Sequence, residues 1–141
     1  MIQELMIINR AGIALFYYDF SGRNIFKDQQ SLASYFDLIC RFTKNQFKES
    51  LKTISLDNSI FFFFTHKSGL HIIFKCDNKT FDRKLLESLA DRIIDNFITN
   101  FRKDLEDFNG EISNFHTFSH ILEKVIVSKE KDIKKIPLIQ E

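Results

Sequence analysis

Four phenylalanines in a row, Phe61 to Phe64 within SIFFFFTHKSGLHIIF (Ser59 to Phe74), constrain this chain more than any other feature. A strand with one wet face alternates apolar and polar residues, because successive side chains point to opposite faces of a sheet. This run does not alternate, so both faces of its strand need cover. Helices on both sides of one antiparallel sheet supply that cover, with Phe61 and Phe63 turned to one helical layer and Phe62 and Phe64 to the other. The rival arrangement leaves part of the run on the surface for a partner. Three long amphipathic segments elsewhere in the chain need a surface to cover, and they favour the buried arrangement.

The rest of the chain supplies the other elements in order. ELMII (Glu4 to Ile8) and IALFYYDF (Ile13 to Phe20) are rich in strand formers, and NRAG (Asn9 to Gly12) between them has residues that tolerate positive φ, so a hairpin is expected. From Ser31, apolar residues recur at helical spacing as Leu32, Tyr35, Phe36, Ile39, Phe42 and Phe47. LKTISL (Leu51 to Leu56), Ile60 to Thr65 and LHIIFK (Leu70 to Lys75) then read as a three-strand meander. Thr80 is the expected cap of a long helix whose stripe runs from Phe81 through Leu89 and Phe97 to Phe108, ended by Asn109 and Gly110. A last helix is expected from near Asn114, burying Phe115, Phe118, Ile121, Leu122, Val125 and Ile126. The charged segment SKEKDIKK after it reads as a solvated linker or frayed end. The domain organisation expected is one domain over residues 1–127 and a charged tail over 128–141.

Composition agrees with one well-filled core: 141 residues, 44% of them hydrophobic, with 17 phenylalanines and no tryptophan. Twenty basic and 19 acidic residues leave a formal charge of +1, too small for a broad field toward nucleic acid or anionic lipid. Apolar runs are far shorter than the ~20 residues of a membrane helix, and no basic n-region with an apolar h-region opens the chain. A soluble, cytoplasmic protein is expected, without nucleic-acid partners and reaching membranes only through other proteins. Cys40 and Cys76 lie in apolar contexts without CxxC spacing and are expected as buried free thiols.

Catalytic signals are weak throughout. His116 and His120 stand four apart on an expected helix, a spacing that could hold a metal, but there is no HExxH and no evident third ligand. His66 and His71 flank a turn and are expected to be structural or solvated. No GxxxxGK[ST], GxGxxG or GxSxG occurs, and the glycines at 12, 22, 69 and 110 are isolated turn and cap residues. No cofactor and no catalytic residue is therefore expected.

The element order, opening on a strand hairpin, resembles the longin fold rather than its circularly permuted relative, the roadblock fold, which places a helix first. MIQELMIINRAG (Met1 to Gly12) resembles the start of the small chains of clathrin adaptor complexes, in which an apolar strand runs into an NRxG turn. SGLHIIFKCD (Ser68 to Asp77) is similar to the start of that family's fifth strand, and NFHTFSHILEKVIVSKEKD (Asn114 to Asp132) to its final helix. The resemblance covers nearly the whole chain. It implies a longin-like three-layer α/β/α sandwich, α+β in class, with a five-stranded antiparallel sheet and the order β-β-α-β-β-β-α-α. In one respect the chain departs from the pattern. Small adaptor chains that read acidic dileucine signals carry basic residues soon after this turn, where this chain has Ile13, Ala14, Leu15 and Phe16. The cargo-binding residues are therefore not carried over.

What the resemblance implies is a non-catalytic interaction module in membrane trafficking or small-GTPase regulation. Its partners would be a small GTPase or a larger trafficking subunit, or a second longin or roadblock protein in a homodimer or heterodimer. Such domains commonly pair through an edge strand and the adjacent helix. Here that surface would comprise Tyr35, Leu38 and Phe42 of the first helix with Leu51, Thr53, Ile54 and Ser55 of the third strand. Two alternatives stand beside it: a structural small subunit of a coat-like or tethering complex, and, with only the histidine pair behind it, a metal-dependent enzyme.

Overall fold

The computed structural model describes residues 2–22, 28–78 and 82–134, with residues 127–134 described by their backbone alone. Strands β1 (Ile2–Ile8) and β2 (Ala14–Asp19) form the opening hairpin. Its turn works through a side chain: Asn9 Oδ1 accepts from the backbone N–H of Ala11 at 2.9 Å and of Ile13 at 3.0 Å. Gly12 alone in this turn has positive φ, at 79°, so the turn needs the freedom of glycine at one position rather than two. The register slips between Ile7 and Ile8, which pair with Phe16 and Ala14, and Leu15 between them forms a bulge.

Helix α1 (Gln29–Phe47) follows, starting on Asp28, whose carboxylate accepts from the N–H of Ser31 at 3.1 Å. It ends at Lys48 in the left-handed conformation, with φ 58°. Ala33 and Phe36 are its buried residues, and the Phe36 ring meets Phe61 at 5.1 Å and Phe63 at 5.3 Å between centroids. Met6, Ile8, Ala14 and Ile73 complete this core. One face of the sheet is thus closed by α1, and a buried Phe contributes roughly 1.5–3 kcal/mol relative to an exposed one.

The meander is β3 (Thr53–Ser55), β4 (Ser59–Thr65) and β5 (His71–Asp77). With the hairpin it makes a five-stranded antiparallel sheet in the order β2-β1-β5-β4-β3. The phenylalanine run behaves as its lack of alternation requires. Phe61 and Phe63 meet α1, while Phe62 and Phe64 are buried on the opposite face, Phe64 edge-on to Phe74 at 5.9 Å. Strand β3 is shorter than the expected 51–56. The N–H of Leu56 bonds back to the carbonyl of Ser59 at 2.7 Å, closing a tight return, and Leu56 itself is exposed.

Residues 1–78 and 79–141 form two compact units within what the sequence reads as one domain over 1–127 and a tail over 128–141. The second unit holds α2 (Arg83–Glu106), a short 3-10 turn (Ser113–Phe115) and α3 (Phe118–Lys134). Asp82 caps α2, accepting from the N–H of Lys84 at 2.9 Å; the expected cap Thr80, and Phe81, lie outside the described residues. Phe97 packs against Phe115 at 5.3 Å and Phe118 at 5.0 Å, and Phe101, with non-helical φ −126° and ψ 25°, joins the same cluster. The expected helix start near Asn114 falls in the 3-10 turn, and α3 itself begins at Phe118. Its backbone stays helical to Lys134, through most of the segment expected as a linker or frayed end.

Candidate functional site

Helix α1 has more apolar surface than the sheet uses. Tyr35, Leu38 and Phe42 recur at spacings of three and four along its outer side and are 52%, 66% and 57% exposed. Phe47, which the helical spacing placed in the core stripe, is exposed as well. Helix α1 closes on the sheet through Ala33 and Phe36, with Leu32 and Cys40 partly buried against the same core, and leaves this second stripe largely exposed.

Strand β3 is the edge of the sheet on the β4 side. Phe63 donates its N–H to the carbonyl of Lys52 at 3.0 Å, and Leu56 donates to Ser59, so even-numbered residues of this strand bond inward. By the alternation of an antiparallel ladder, Thr53 and Ser55 turn their backbone N–H and C=O outward. Both residues are exposed. Ile54 instead packs with Leu51 against the α1-side core and is half-buried. The seven residues expected to form one surface thus divide: Tyr35, Leu38 and Phe42 offer side chains, Thr53 and Ser55 offer backbone, and Leu51 and Ile54 anchor the strand.

A groove of about 470 Å³ joins helix to strand, with Tyr35 and Leu32 on one wall and Leu56 and Phe61 on the other. Leu56, half exposed, ends the Leu51–Leu56 segment expected to carry this surface, though it was not one of the seven residues singled out. Glu4 and Lys75 also line the groove and form an ion pair at 3.4 Å. Glu4 is buried, and the Tyr17 hydroxyl donates to it at 2.7 Å, so neither oxygen is left unpaired in a desolvated place. Burial first, and then the bond to Glu4, push the Tyr17 phenol well above its ordinary pKa. A charged residue at the head of the otherwise apolar ELMII was the available signal for this pairing.

The two histidines that flank the β4–β5 turn are hydrogen-bonded within it. His66 is buried in the turn before β5, its Nδ1 accepting from the N–H of Ser68 at 3.1 Å. His71 shares a hydrogen bond of 3.0 Å with the Thr65 hydroxyl, and burial lowers its pKa. His116 and His120 are both exposed, and among the described residues no group of three or more His, Cys, Asp or Glu side chains could hold a metal. Cys40 is half-buried and Cys76 buried; desolvation pushes their thiols up to about 11 and about 12. Among the described residues no helix is long and apolar enough to cross a membrane.

No family model matches the sequence, and no curated protein matches it significantly. Solved structures do match. A chain of the mammalian SRP receptor aligns over 94% of this chain and 97% of its own, with a TM-score of 0.59 at 11% identity. MglB from Myxococcus xanthus aligns over 67% of this chain and 85% of its own, with a TM-score of 0.52 at 12% identity. This chain spans 60% of an MglB in tetrameric arrangement and 61% of the gliding protein MglB from Thermus thermophilus, at TM-scores of 0.48 and 0.47. At such identities the likeness concerns architecture alone. With its five-stranded antiparallel sheet, its three helices and a match over nearly its whole length, the chain has a longin-type fold.

Proposed function

We propose that this protein is a non-catalytic interaction module of the longin type, working in membrane trafficking or small-GTPase regulation. It engages its partner through the outer stripe of α1 and the edge of β3. The observation that carries the reading is the coincidence of three exposed apolar side chains, Tyr35, Leu38 and Phe42, with an open strand edge in the same unit. The partner is a small GTPase or a larger trafficking subunit, and the chain pairs with a second longin-type protein or a second copy through the same face. It acts in the cytoplasm, at membranes through its partners.

The test separates the helix from the strand. Leu38→Asp places a charge in the stripe, and Thr53→Pro removes one outward N–H without touching the bonds to β4. Wild type and both variants would be used as bait in native extract, with GDP or a non-hydrolysable GTP analogue. A small GTPase retained in one nucleotide state by wild type, and lost by at least one variant of unchanged circular dichroism, is the expected result. Recovery of the same proteins by all three baits would defeat the reading. Nucleotide-independent recovery of large coat or tethering subunits would place the chain as a structural subunit.

A further inference from the structure

A second cavity, of about 380 Å³, lies on the same unit, where the turns after β1 and β4 approach α1. Arg10, Arg41 and Lys44 bring three cationic groups to it and Asp37 one carboxylate, in a chain whose net charge is only +1. Asp37 is already engaged, accepting from Arg41 Nε at 3.0 Å. The cavity is therefore left with a surplus of two positive charges.

The two arginines are exposed, but their guanidinium groups are tethered. Arg10 Nη2 donates to the carbonyl of Ser68 at 3.2 Å, and Arg41 Nη2 donates to the carbonyl of Arg10. Gly69, with φ 94°, makes the room: a Cβ there would come within 1.9 Å of Arg10 Nε. The arginine thus fills the space that a side chain would take. Each guanidinium keeps donors beyond those used, and the Lys44 ammonium makes no hydrogen bond or ion pair among the described residues. Cys40 and Leu51 add an apolar wall, and Ser50 and Thr65 add hydroxyls.

We propose that this cavity binds the phosphate of a small soluble phosphate monoester. Guanidinium forks match phosphate oxygens in pairs, and an ammonium adds a point charge beside them. A phosphate monoester carries about −1.5 to −2 at neutral pH, which balances the surplus, whereas a carboxylate balances half of it. The volume admits the phosphate together with a modest organic group set against Cys40 and Leu51. His71, whose pKa burial lowers, adds no charge of its own at neutral pH. The site does not depend on the partner surface proposed for α1 and β3.

Calorimetric titration of the full-length protein at constant ionic strength tests it, with inorganic phosphate and phenyl phosphate as probes and chloride as the control. Saturable binding is expected, tighter for phenyl phosphate. It should weaken about tenfold or more in Lys44→Gln and Arg10→Gln, each of which removes a charge-assisted contact. Lys44→Gln changes an exposed residue, so it keeps the test valid even where Arg10→Gln disturbs the turn. A response equal to that of chloride, binding unchanged in Lys44→Gln, or binding confined to vesicles carrying phosphorylated inositol lipid would each overturn the proposal.

Discussion

His71 shows how a single side chain here is fixed by distant neighbours. It stands on the α1 face of β5, bonded to Thr65 across the strand pair, with Asp37 and Arg41 of α1 nearby. Burial is the largest influence and lowers its pKa below the ordinary 6.5; Arg41 lowers it further and Asp37 opposes both. The folded protein therefore holds His71 neutral where the unfolded chain takes up a proton. The stability tied to this group is complete above 6.5 and is lost as pH falls from there. Between about pH 7 and about pH 5 the wild-type urea midpoint should drop more than that of His71→Gln. Equal drops would show that His71 does not carry the effect. The sequence disclosed that His71 flanks a turn, but its environment depends on contacts made elsewhere. Arg10 to Ser68 spans 58 positions and Lys75 to Glu4 spans 71, and no local pattern encodes such pairs.

At the scale of elements, periodicity was legible and ends were not. The period of two in LKTISL and the spacing from Leu32 to Phe47 gave the right element types, because alternation and helical recurrence follow from backbone geometry alone. Where an element stops depends on single residues. Helix α1 stops at Lys48, the one described non-glycine residue with positive φ, a conformation that costs a side-chain-bearing residue about 1–2 kcal/mol. Lys48→Gly should accordingly stabilise the protein by up to ~1 kcal/mol, the strain relieved being partly offset by the entropy of glycine in the unfolded chain. Denaturant unfolding checks it, and a lower midpoint would show that Lys48 contributes more through its side chain than it loses in its backbone. The candidate surface was legible to the same degree. The apolar residues of α1 spread over an arc too wide for one core, with Tyr35, Leu38 and Phe42 along one side of it, whereas the inward turn of Ile54 depended on a register that only the sheet fixes.

The whole sheet is two pieces joined at one seam: the β1–β2 hairpin meets the meander only where β1 pairs with β5. Amide exchange should follow this plan, slowest in β1 and β5 and fastest, within the sheet, at Thr53 and Ser55 on the β3 edge. Protection at Thr53 equal to that at Ile7, at every protein concentration, would contradict the open edge. The seam also orders events during synthesis. When residues 59–65 leave the ribosome they can find β3, but their other edge and the free edge of β1 both wait for His71–Asp77, the one segment that fills the gap between them. Until residue 77 has emerged, a run of four phenylalanines and an apolar hairpin each present a bare edge to neighbouring chains. The speed of translation across these few codons therefore sets how long the most aggregation-prone part of the protein stays uncovered.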